Sequence, residues 1–159
     1  MVEVVKSVDF CYGHTLPLHE GKCSQIHGHT GRLEVCVRGK RIKEEQSDMG
    51  MIIDFRNLKR FIQQVIDKVD HGFIFWGGDE REFLCKGRSD ISVWIKTKDF
   101  IKSRNKVWLQ LSEPPTAEVL SRWAYHQLRR ELPAELDLMW VKWWESETSF
   151  AICDSLLDS

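Results

Sequence analysis

The residues best suited to chemistry gather between His14 and His29, where His14, Cys23, His27 and His29 stand with Gly28 separating the last pair. On an extended strand alternate side chains share a face, so His27 and His29 would turn both imidazoles to one side, about 6 to 7 Å apart at Cα. A hairpin would bring His14 back to the same place, and three neutral imidazoles can hold a zinc ion at about 2.0 to 2.1 Å. Three protein ligands leave a fourth position open and mark a catalytic centre, whereas four close a structural one. Cys23 therefore has two readings, as a fourth ligand or as a free thiolate beside a cation. His19 is an alternative to His14, and an isolated His-x-His pair is otherwise only a polar loop.

Asp70-His71 is the second constellation. It reads either as a helix end, where an imidazole meets the dipole and an Asp makes a turn, or as a proton relay for Cys23. A thiol with a pKa of about 8.5 is only a few per cent ionised at neutral pH, and an adjacent cation supplies the missing stabilisation. Glu147 reads by default as a hairpin charge; aimed into a pocket, its carboxylate would accept two parallel N–H bonds from a guanidine-like edge such as that of a pterin or guanine. Glu145 reads as a solvated hairpin charge. Trp140 and Trp144 should share one strand face and Trp143 the other, in packing roles. Lys96, Lys98, Lys102, Arg104 and Lys106 read as a solvated face.

The elements that must position these residues follow an α+β order. Strands are expected at Val2 to Phe10 and Gly31 to Arg38, with a histidine-rich loop between them. Phe55, Leu58, Phe61, Ile62, Val65, Ile66 and Val69 follow a helical stripe that Asp54 caps, and Thr116 caps a second helix carrying Leu120, Trp123, Ala124 and Leu128 until Pro133. Closing strands fall near Leu136 to Trp144 and Thr148 to Cys153. Residues 77–112 fit this scheme least and are expected to be an elaboration of one domain spanning 1–159.

Composition narrows the partners. The 159 residues carry 23 Lys and Arg against 24 Asp and Glu, a net charge of -1, which argues against a nucleic-acid binder. No stretch reaches the roughly 20 apolar residues of a membrane span, and the N-terminus has no signal-sequence pattern, so a cytoplasmic location is expected. The five cysteines include no Cys-x-x-Cys pair, which fits reduced thiols.

Taken together, His14, Gly21-Lys22-Cys23, His27-Gly28-His29, Gly50 to Phe55, Asp70-His71, Pro115-Thr116-Ala117-Glu118 and Glu147-Thr148 resemble the tunnelling-fold pterin synthases, nearly end to end. The three residues between Cys23 and His27 resemble the carboxy-forming branch more than the pyruvoyl-forming one. The resemblance implies ββααββ subunits with an antiparallel sheet and two helices on one face, joined into a barrel, commonly a homohexamer with sites between subunits. It implies Zn2+ on His14, His27 and His29, Cys23 as the catalytic thiol, Asp70 with His71 as its relay, and Glu147, Thr116 and Glu118 at the substrate. The implied reaction turns 7,8-dihydroneopterin triphosphate into 6-carboxy-5,6,7,8-tetrahydropterin with loss of acetaldehyde and triphosphate, a step toward queuosine. A pyruvoyl-forming synthase and a non-catalytic zinc-stabilised pterin binder are the competing readings. Gly72-Phe73-Ile74-Phe75 after His71 departs from the family pattern.

Overall fold

The computed structural model describes residues 1–40, 42–45, 47–77 and 91–155. Its elements run β1 (Val2–His14), β2 (His27–Gly39), α1 (Phe55–Ile66), β3 (Gly72–Trp76), α2 (Ile91–Arg104), β4 (Trp108–Leu111), α3 (Ala117–Glu131), β5 (Leu136–Ser146) and β6 (Ser149–Asp154). One six-stranded sheet results, in the order β4-β3-β1-β2-β5-β6. The β1–β2, β2–β5 and β5–β6 pairs are antiparallel, while β1–β3 and β3–β4 are parallel.

The α+β class is as expected, but the sheet is mixed, and three helices rather than two are present among the described residues. The added strand β3 is Gly72-Phe73-Ile74-Phe75-Trp76, buried at every position. A continuous apolar run is what a strand covered on both faces requires. Ile74 joins the main core, whereas Phe73 and Phe75 pack with Ile101 of α2. Of the expected elaboration, residues 78–90, with Gly78, Cys85 and Gly87, lie outside the described residues; α2 and β4 account for most of the remainder. Lys102, one of the expected solvated charges, lies over the Trp108 ring at 4.4 Å and bonds Gln110 at 2.6 Å.

Both sequence-read helices start where their caps are. The Asp54 side chain accepts from the Arg56 N–H at 2.6 Å, and Thr116 accepts from the Val119 N–H at 3.4 Å. Leu58, Ile62, Val65 and Ile66 of α1, with Leu120, Ala124, Tyr125 and Leu128 of α3, bury against Phe10, Tyr12, Leu33, Val35, Val141 and Trp143 of the sheet. Each such aliphatic side chain contributes about 1.5–3 kcal/mol when fully buried. Phe55, expected on the buried stripe, is instead 51% exposed at the first position of α1. Trp143 is fully buried, while Lys142 lies over Trp140 at 4.5 Å on the opposite face.

Candidate metal centre and active site

Strand length decides the site. β1 continues to His14 and β2 already starts at His27, so three histidines of the expected loop are strand residues in register: His14 faces His27, and Tyr12 faces His29. All three imidazoles point to the helix-covered face. His14 Nε2 lies 3.1 Å from His27 Nε2 and 3.0 Å from His29 Nε2, and one ligand atom from each falls within 4.8 Å of the others. His14 Nδ1 donates to the Pro115 carbonyl at 2.8 Å, and His27 Nδ1 to the Gln25 carbonyl at 2.8 Å.

Those two backbone bonds fix the tautomer and leave the Nε2 lone pairs of His14 and His27 facing each other. Lone pairs at that separation repel unless a positive centre lies between them. The spacing approaches the edge of about 3.3 Å that a tetrahedral zinc site with metal–nitrogen distances near 2.05 Å requires. The donor set therefore fits a zinc-type ion with one position left open. His14 is 1% exposed, and burial first, then the neighbouring His27 and His29, push its pKa down to about 4 against the raising effect of the Pro115 carbonyl. It stays a neutral imidazole, as ligation demands.

A carboxylate stands beside this group. Glu145 Oε1 lies 3.9 Å from His14 Nε2 and accepts a hydrogen bond from the Tyr12 hydroxyl at 3.3 Å. Tyr12 in turn accepts from the Trp143 indole N–H at 3.0 Å. Burial, opposed by that indole and helped by the Glu145 charge, raises the Tyr12 pKa, so the hydroxyl remains a donor. The reading of Glu145 as a solvated hairpin charge is corrected here. It follows Val141 and Trp143 on the inward side of β5 and sits at the ladder shift between Trp144 and Ser146. Glu147 falls beyond that shift, is exposed, and lines a separate cleft of about 430 Å³ with Asp9, Arg32 and Trp144.

His71 lines a cleft that also touches His27 and His29. This open cleft of about 490 Å³ is lined by Cys11, Gly72 and Phe73 as well. Asp70 Oδ1 accepts from the Cys11 N–H at 2.9 Å and pairs with His71 Nδ1 at 3.0 Å. Burial works to raise the Asp70 pKa, but the Cys11 N–H and the His71 side chain outweigh it and hold the carboxyl below its ordinary range. His71 has a φ of 54°, a left-handed conformation rare outside glycine and one that clusters at functional sites. Its N–H donates to the Cys11 carbonyl at 2.7 Å, which locks that conformation.

The remaining candidates lie around this centre. Cys23 occupies a single 3-10 turn, Lys22–Ser24, half-buried, and is neither in the three-histidine group nor among the residues lining the His71 cleft. His19 also stands outside the histidine group and accepts from the Gly21 N–H at 2.8 Å. Thr116 caps α3, and Glu118 is exposed in its first turn. The nearest touch of that segment to the histidines is the Pro115 carbonyl, which has no side-chain signature to find in a sequence. Tyr12, Trp143 and Glu145 are the further site residues that sequence reasoning missed.

An antiparallel hairpin presenting three convergent imidazoles that could hold a metal ion, with a carboxylate beside them, defines an α+β protein with a candidate metal centre. The chain belongs to the 6-pyruvoyl tetrahydropterin synthase family, whose sequence profile matches residues 3–155. It is 31% identical over 151 residues to the 6-carboxy-5,6,7,8-tetrahydropterin synthase of Haemophilus influenzae, covering 94% of this chain and 96% of that one. The protein of the same name from Synechocystis is 38% identical over 96 residues, covering 60% of this chain and 72% of its own. Among solved structures, an uncharacterized protein from Wolinella succinogenes superposes with a TM-score of 0.71 at 23% identity, covering 97% and 98% of the two chains. The Caenorhabditis elegans 6-pyruvoyl tetrahydropterin synthase gives 0.61 at 21% identity, covering 97% of this chain and 95% of that one.

Proposed function

We propose that this chain is a zinc-dependent lyase that converts 7,8-dihydroneopterin triphosphate, with water, to 6-carboxy-5,6,7,8-tetrahydropterin, acetaldehyde and triphosphate, in the route to 7-deazaguanines such as queuosine. The observation that carries the reading is the convergence of His14, His27 and His29 nitrogens on one point with an open side. The carboxy-forming choice follows the names of the Haemophilus influenzae and Synechocystis relatives. A bound zinc ion would acidify the hydroxyls of the substrate side chain.

Asp70, kept ionised, orients His71 through Nδ1 and leaves the other ring nitrogen to exchange protons with Cys23. Cys23 is not among the residues lining the His71 cleft, and by family resemblance the two act together from neighbouring copies in an oligomer, a hexamer. Glu145, rather than Glu147, is the acceptor for the N–H edge of the pterin, since it is the carboxylate lying beside His14. Thr116 serves the site by capping α3 and so fixing the Pro115 carbonyl, and Glu118 is a first-turn charge favoured by the helix dipole. No described helix is long and apolar enough to cross a membrane, and the reading places the enzyme in the cytoplasm.

The family profile and solved neighbours described as 6-pyruvoyl synthases favour one second reading, loss of triphosphate without carbon–carbon cleavage. Incubating the zinc-loaded protein with 7,8-dihydroneopterin triphosphate and trapping acetaldehyde separates the two by mass spectrometry. Carboxytetrahydropterin with trapped acetaldehyde is expected. A pyruvoyl product without acetaldehyde establishes the second reading, and unchanged substrate overturns both.

A further inference from the structure

We propose that Tyr12, held by Trp143, is a positioning residue that keeps the Glu145 carboxylate turned toward substrate and off the open position of the histidine centre. The inference rests on the reading of Glu145 as the substrate acceptor.

A carboxylate oxygen 3.9 Å from His14 Nε2 stands close enough to become a metal ligand by a small rotation, and carboxylates bind zinc at about 2.0 to 2.2 Å. Such a rotation would close the open position and remove the acceptor that the pterin edge needs. The Tyr12 hydroxyl opposes it by donating to Oε1. That bond draws charge from the oxygen nearest the histidines and leaves Oε2 as the freer acceptor.

Tyr12 can do this because it has almost no freedom of its own. It is 3% exposed, and Trp143, which bonds its oxygen, is fully buried. Its ring meets His29 at 5.4 Å, His14 at 5.3 Å and the edge of Trp143 at 5.3 Å between centroids. Gly31 completes the restraint, because a Cβ there would come within 3.0 Å of Tyr12 Cε1 and 3.1 Å of the Trp144 carbonyl. A bulkier residue at 31 would push the phenol out of line.

The test uses the full chain loaded with Co2+, whose visible absorption reports the ligand set, and neopterin as an unreactive binding probe. Tyr12→Phe keeps the ring and removes only the hydroxyl. The expected result is a changed cobalt spectrum as Glu145 moves onto the ion, a change abolished in the Tyr12→Phe/Glu145→Gln double variant. Neopterin affinity should fall about tenfold in Tyr12→Phe, with little added loss from Glu145→Gln because the two act as one unit. An unchanged cobalt spectrum in a folded Tyr12→Phe protein overturns the restraint. Trp143→Phe, which removes the donor to the Tyr12 oxygen, should shift the spectrum the same way and serves if Tyr12→Phe does not fold. Should Glu145→Gln bind neopterin as tightly as the parent, the acceptor reading falls and takes the substrate half of the proposal with it, while the cobalt spectrum still judges the restraint.

Discussion

His14 and Pro115, 101 positions apart in the chain, are joined by a 2.8 Å bond from the imidazole Nδ1 to the backbone carbonyl. The contact ties the last residue of β1 to the residue just ahead of the α3 cap. It makes the orientation of a metal ligand depend on how firmly a helix begins.

Thr116→Ala should expose that dependence. Loss of the cap costs about 1 kcal/mol of stability, and the loosened Pro115 carbonyl should weaken zinc binding by up to the about 10–100-fold typical when an outer partner of a ligating histidine is disturbed. Thermal melts and competition with a zinc indicator measure the two effects. Thr116→Ser should restore both.

Replacing a ligand should be more severe. His27→Ala and His29→Ala should each reduce bound zinc from about one equivalent per chain to near none by atomic emission, while His19→Ala keeps it. Retention of zinc by His14→Ala together with loss in His19→Ala would exchange their roles.

Cys23 separates turnover from metal binding. Cys23→Ser should keep its zinc and lose turnover, because the serine hydroxyl is far weaker as an acid than the thiol. Cys23→Ser and His71→Ala proteins, each inactive alone, should regain part of the turnover when co-expressed if the two groups meet between copies. No recovery in a confirmed mixed oligomer would place thiol and imidazole in one chain.

The Asp70 carboxyl has a native pKa below its ordinary value near 3.8. Its stabilising contribution is therefore complete above that ordinary value and disappears as pH falls through the lowered native one. The stability difference between the parent protein and Asp70→Asn should shrink as pH falls below about 4. A difference that grows below about pH 4 would contradict the assignment, and urea melts from about pH 5 downward decide it.

Some of this was legible in residue order. Asp54 and Thr116 announce their helices because a short polar acceptor beside a helical stripe has little other use. His27 and His29 announce a shared face because strand geometry alternates. Glu145 was hidden by the length of β5: alternation from Val141 and Trp143 turns it inward, but a strand expected to end near Trp144 leaves it in the turn, whereas β5 runs on to Ser146. β3 was hidden because an unbroken apolar run has no period, and its partner β4 is brought alongside only by a distant crossover. Pro115 acts through a carbonyl that every residue possesses.

The place of His14 in the sheet has a consequence for the life of the protein in a cell. It belongs to the stretch Tyr12 to His14 over which β1 is paired on both sides, and itself faces His27 of β2 and Ile74 of β3. An ion held there would be bound only by the assembled sheet, so free metal and folding become linked quantities: at about 1,000 times the dissociation constant, a ligand specific for the native state adds about 4.1 kcal/mol. Zinc scarcity would then act on abundance as well as on rate, as the unloaded chain unfolds more often and is cleared by proteolysis.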